Sequence, residues 1–152
     1  SGRLVFKNVR LETSLNYTRI TDDGRYIFPR EWGRDPFYTF MPRERNEGFG
    51  DVHALVAKIN LFSKSKRISS GLALGYFQLP DVKNYALNKY GMPSYFQLNA
   101  DLKYVFSGML QGFELYALFV SKFKNGRSYD NPRYIINKVE MNLYNFVLNY
   151  KF

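Results

Sequence analysis

The chain carries 152 residues, a net charge of +9 and no cysteine; thirteen Tyr, fourteen Phe and one Trp make 18% of it aromatic. Disulfide frameworks and thiolate metal sites are excluded, and no run approaches the ~20 consecutive apolar residues of a membrane-spanning helix. The length suits one domain, and so many aromatics at a negative mean hydropathy suit a wall greasy on one side and wet on the other.

Alternation with period two runs through most of the sequence, so the predicted elements are strands. The first is 4–19, with Val9, Leu11, Thr13, Leu15 and Tyr17 outward and Arg10, Glu12, Ser14 and Asn16 opposite. A long loop, 20–49, follows. It holds five Arg and six acids, and aromatics such as Tyr26, Trp32 and Phe40 argue for packing over disorder. The second strand, 51–62, places His53, Leu55, Ala57, Ile59 and Leu61 on one face, with Lys58 and Asn60 opposite. Val52, Ala54 and Val56 make that opposite face apolar too, which leaves the strand ambiguous. In 68–78, Leu72, Leu74 and Tyr76 oppose Gly71, Ala73 and Gly75, small residues that leave room on their side.

The clearest strand is 95–106. Phe96, Leu98, Ala100, Leu102, Tyr104 and Phe106 share one parity; Tyr95, Gln97, Asn99, Asp101 and Lys103 share the other. An acid, a base and two amides in a row are too wet for a sandwich core and fit a water-filled lumen. In 113–122, Phe113, Leu115, Ala117 and Phe119 oppose Glu114, Tyr116 and Lys122. The last strand, 138–152, carries Tyr144, Phe146, Leu148, Tyr150 and Phe152 on one face and Asn145, Asn149 and Lys151 on the other.

Connections alternate in length. Turns at 63–67 and 107–112 are short, whereas 20–49, 79–94 and 123–137 are long. Outer-membrane barrels have short periplasmic turns and longer external loops. The expected fold is therefore all-β, an antiparallel transmembrane β-barrel wall of about six strands, with 1–152 as a single segment. Known single-chain barrels begin at about eight strands, and an open edge in lipid strands unpaired backbone groups. The chain is thus expected to be the C-terminal portion of a larger barrel, closed by further strands of its own or of a companion chain.

The terminal alternation Tyr144, Phe146, Leu148, Tyr150, Phe152 resembles the C-terminal signature of bacterial outer-membrane proteins. That resemblance implies an outer-membrane location, lipid contact and recognition by the barrel-assembly machinery. Three further runs, Asp23-Gly24-Arg25, Phe28-Pro29-Arg30-Glu31-Trp32-Gly33-Arg34 and Arg43-Glu44-Arg45-Asn46-Glu47-Gly48, resemble the OprD-type family of outer-membrane porins. The family's members are barrels of about eighteen strands that pass small solutes, often carboxylate-bearing, through a basic constriction. The resemblance implies that Arg30, Arg34, Arg43 and Arg45 lie near a pore mouth, although five Arg against six acids also suits an Arg–acid network that only holds the loop.

On the lumen face the alternation places Arg10, Lys58, Lys103, Lys122 and Lys151, with Glu12, Asp101 and Glu114. A basic excess on a pore wall concentrates anions. The expected function is passive diffusion of small anionic solutes. Two other readings stand beside it: a non-conducting barrel that serves as a structural partner, and a soluble β-barrel ligand binder with its faces reversed. No enzymatic activity, cofactor or metal is expected, since His53 is the only histidine and sits at an apolar parity. Gly48 and Gly50 precede no helix and so make no phosphate cradle. Nucleic acid is not an expected partner, because the aromatics lie mostly on the face opposite the cations, where stacking and neutralisation cannot act together.

Overall fold

A computed structural model describes residues 1–28 and 35–152. It is a single antiparallel sheet of seven strands in chain order: β1 (Gly2–Lys7), β2 (Leu11–Ile20), β3 (Val52–Phe62), β4 (Ile68–Gln78), β5 (Tyr95–Val105), β6 (Phe113–Lys124) and β7 (Met141–Tyr150). There is no α-helix among the described residues. β1 and β7 lie at opposite edges and do not pair with each other, so the sheet is open.

The expected strand 4–19 is in fact two strands. Asn8 breaks it, because its side-chain oxygen accepts from the backbone N–H of Arg10 (2.9 Å) and Leu11 (2.8 Å) while its own N–H donates to the Leu11 carbonyl (2.8 Å). This self-bonding is what makes Asn a turn residue. Leu4 then pairs with Leu15 and Lys7 with Glu12. Arg10 therefore sits in a turn and not on the wall, and Val9 is exposed there too. At the other end β7 stops at Tyr150, leaving Phe152 beyond the strand.

The register aligns like with like. Tyr17, Leu55, Tyr76, Phe96 and Phe123 form one row across five strands, and Ile59, Leu72, Ala100, Phe119 and Tyr144 form another. Among the described residues nothing covers this face: Leu74 is 55% exposed and Phe146 73%, values no packed core position shows. The other face is different. Its upper half, toward the long loops, is dry, with Val52, Ala54, Val56, Phe77 and Tyr95 buried against Met41, Phe49, Met92 and Val139 from those loops. The double apolar character of 51–62 has this cause: one face of β3 is bare, and the other packs beneath a loop.

Candidate functional site

The described part of the loop between β2 and β3 lies against the polar face of the sheet. Short turns shape it, with Phe40 N–H donating to Phe37 O (3.0 Å) and Glu44 N–H to Met41 O (3.0 Å). Such a segment forms few backbone bonds of its own, so its remaining carbonyls need other partners. The wall provides them. Lys58 Nζ donates to the carbonyls of Tyr38 (2.9 Å) and Phe40 (2.8 Å), and Lys122 Nζ to that of Arg43 (2.6 Å). Gln97 Nε2 (2.7 Å) and Asn99 Nδ2 (3.1 Å) share the Pro42 carbonyl, and the Thr18 and Thr39 hydroxyls are bonded at 2.9 Å.

Apolar contact seats the same segment. Met41 is fully buried, and a Cβ added to Gly75 would meet its sulfur at 2.8 Å. The space left by the small residues of β4 is thus filled, at Gly75, by Met41 and Phe77. At its far end the loop is stitched to the β4–β5 connection: Gly50 N–H donates to Leu87 O (2.8 Å) and Lys89 N–H to Gly48 O (3.1 Å). Gly48 has φ +89, and a side chain there would run into the Tyr90 ring.

Two acids of the loop behave differently. Glu47 accepts from Tyr90 Oη (2.6 Å) and pairs with Lys89 (3.3 Å). Glu44 is buried beneath the loop. One of its oxygens accepts from Met41 N–H (3.3 Å), and the other has no hydrogen-bond partner among the described residues. Burial pushes its carboxyl up to about 8; the Met41 N–H opposes the shift, Asp35 adds to it, and Lys122 and Asn46 oppose it.

Beside Glu44 opens a cleft of about 330 Å³ between three connections. Arg43, Arg45, Lys122 and Lys138 line it, with Tyr90 and Asn137. The Arg45 guanidinium lies 4.6 Å from the centre of the Tyr90 ring, a cation–π placement that fixes its plane. Four basic side chains line the space, while burial pushes the Glu44 carboxyl up to about 8 and Glu47 is engaged by Tyr90 and Lys89. The cleft is electropositive and suits a small anion. Among the described residues, no cluster of three or more His, Cys, Asp or Glu is arranged to hold a metal.

The expected site residues divide accordingly. Arg43 and Arg45 reach the cleft; Arg30 and Arg34 lie outside the described residues. Lys58 and Lys122 are on the polar face of the sheet, where they are occupied with loop carbonyls. Lys103 and Lys151 pair with Glu114 at 2.8 and 3.5 Å, lower on the same face, where Asp101 lies beside Gly71. Arg10 is in the β1–β2 turn. Tyr144, Phe146, Leu148 and Tyr150 all present exposed side chains on the bare face of β7. Sequence reasoning passed over Tyr90 and Lys138, which meet Arg43 and Arg45 only through contacts remote along the chain, and the burial of Glu44 between those two arginines.

No protein-family model, curated protein or solved structure matches the chain.

Proposed function

We propose that the chain is part of the wall of an outer-membrane β-barrel channel, similar to the OprD-type porins, that passes small anionic solutes. The observation that carries this is the contrast between faces. A loop bearing Arg43 and Arg45 is folded onto the polar side, and the opposite side is a bare apolar surface across seven strands. A polar face lined by loops suits a lumen, and an apolar face with aromatic rows suits lipid. Tyr17, Tyr76, Phe96 and Phe123 lie toward the long loops; Tyr104, Phe106, Phe113 and Tyr150 lie toward the short turns. Such paired girdles suit the two membrane interfaces. The open β1 and β7 edges call for further strands, from a longer polypeptide or a companion chain, because unpaired edge groups in hydrocarbon each cost several kcal/mol.

The test is electrical. Planar-bilayer recordings on the closed barrel should show conductance, with a reversal potential under a salt gradient that favours anions. R43Q/R45Q should move that potential toward neutrality. A well-folded, silent barrel would sink the channel reading and favour a second one, a structural barrel with its lumen filled. The five bonds that pin the loop carbonyls to the wall support that alternative.

A further inference from the structure

The edge of the sheet opposite the long loops is basic and greasy at once. Three turns, 8–10, 63–67 and 106–112, and the end of β7 make one continuous rim. Phe62 N–H donates to Arg10 O (2.9 Å), Val105 N–H to Arg67 O (2.8 Å), Arg67 Nη1 to Ser107 Oγ (2.7 Å) and Lys151 N–H to Gly112 O (2.9 Å). The rim's carboxylates, Glu12 and Glu114, are already taken by Arg3 and Lys7 and by Lys103 and Lys151. Arg10, Lys64, Lys66 and Arg67 are exposed and, among the described residues, pair with no carboxylate within 4.0 Å. Between these cations stand Val9 (88% exposed), Met109 (104%) and Leu110, continuous with the bare apolar face.

We infer that this rim is a docking surface for the headgroups of anionic phospholipids. Cations alone would suit any acidic partner. The interleaved apolar side chains decide for a leaflet, since Val9, Met109 and Leu110 can enter the acyl boundary while Arg and Lys stay at headgroup depth. The long-loop end lacks this character. There the described cations are interspersed with acids such as Asp22, Asp35, Asp51, Asp81, Asp130 and Glu140. The inference rests on the barrel-wall reading above, because only a wall crossing a bilayer sets this rim at the lipid surface.

Vesicle co-flotation of the closed barrel, this chain together with the strands that complete it, tests it, with phosphatidylcholine alone and phosphatidylcholine doped with phosphatidylglycerol. The doped vesicles should bind more tightly, with the preference fading as salt rises. The variant R10Q/K64Q/K66Q/R67Q should lose roughly five-fold in affinity for each charge removed, on doped vesicles only. The charge-matched variant R25Q/K83Q/R127Q/R133Q, at the long-loop end, should keep the preference. Equal losses in both variants would mean net charge alone acts and would overturn the rim. Equal binding to both vesicle types would also overturn it while leaving the wall intact. Failure to float with either composition would sink the barrel-wall reading itself. If soluble polyglutamate competes with the vesicles and V9S/M109S changes nothing, the occupant is an acidic protein and the lipid assignment fails.

Discussion

The upper and lower halves of the polar face differ sharply, although the alternation that places their residues is the same. Below, Asn60, Asp101 and Lys103 are part-exposed, and Glu114 is buried but ion-paired with Lys103 and Lys151. Above, Val52, Val56, Phe77 and Tyr95 are dry, and the polar groups among them, Lys58, Gln97 and Lys122, are spent on loop carbonyls. A strand's alternation says which side a residue faces. What waits on that side is decided by the loops.

The largest way to disturb this contrast is pH. Glu44 keeps its proton up to about 8 in the docked loop, but a released loop should lose it near the ordinary 4.5. Docking therefore binds the proton; it is tightest below about 4.5 and weakens as pH rises toward about 8, by up to roughly tenfold per pH unit. Hydrogen exchange across 37–50 should speed up through that window, and E44Q should flatten the dependence. Exchange insensitive to pH in the parent protein, beyond the intrinsic chemistry, would show that the carboxyl is hydrated.

Removing the apolar seat comes next. Met41 is fully buried, so M41A should weaken loop docking by ~2–5 kcal/mol. Loop amides should lose protection while those of the lower strands keep theirs. K58M should follow at about 1–3 kcal/mol, since it strands the Tyr38 and Phe40 carbonyls. Limited proteolysis within 35–50 reads that loss directly; an unchanged cleavage rate would mean the carbonyls find water at no penalty. The smallest effect belongs to the wet half. K103Q should change stability by less than ~1 kcal/mol, because its pairing with Glu114 at 2.8 Å is partly exposed and Lys151 remains beside the same acid. A loss as large as that of M41A would mean the lower half is also dry.

Much of the sheet was legible because it is bare on one side. In 95–106 every second residue is apolar, and the structure pairs Leu72, Ala100 and Phe119 in one row accordingly. The hairpin at Asn8 was legible too, but only through a parity change: the apolar positions are Leu4 and Phe6 before it and Leu11, Leu15 and Tyr17 after it. Reading a single parity through 4–19 missed that flip. The cleft was half visible. Arg43 and Arg45 stand out locally, but Tyr90 and Lys138 reach them from connections far along the chain, and no periodicity encodes such a meeting. Lys58 and Lys122 read as cations facing water because side-chain parity cannot show that a backbone carbonyl lies opposite.

The strand order has a consequence for how such a sheet can change size. Each strand pairs only with its chain neighbours, so the sheet behaves as a tape to which a hairpin adds roughly 10 Å of width. The long connections restrict where the tape can be spliced. Gly48 and Gly50 are tied to Lys89 and Leu87, and Asp81 and Tyr85 to Tyr129 and Tyr134. A hairpin inserted anywhere between β2 and β7 would pull these knots apart. Duplications on the flanks, outside β1 or beyond β7, would leave them whole, so changes in width are expected to accumulate there.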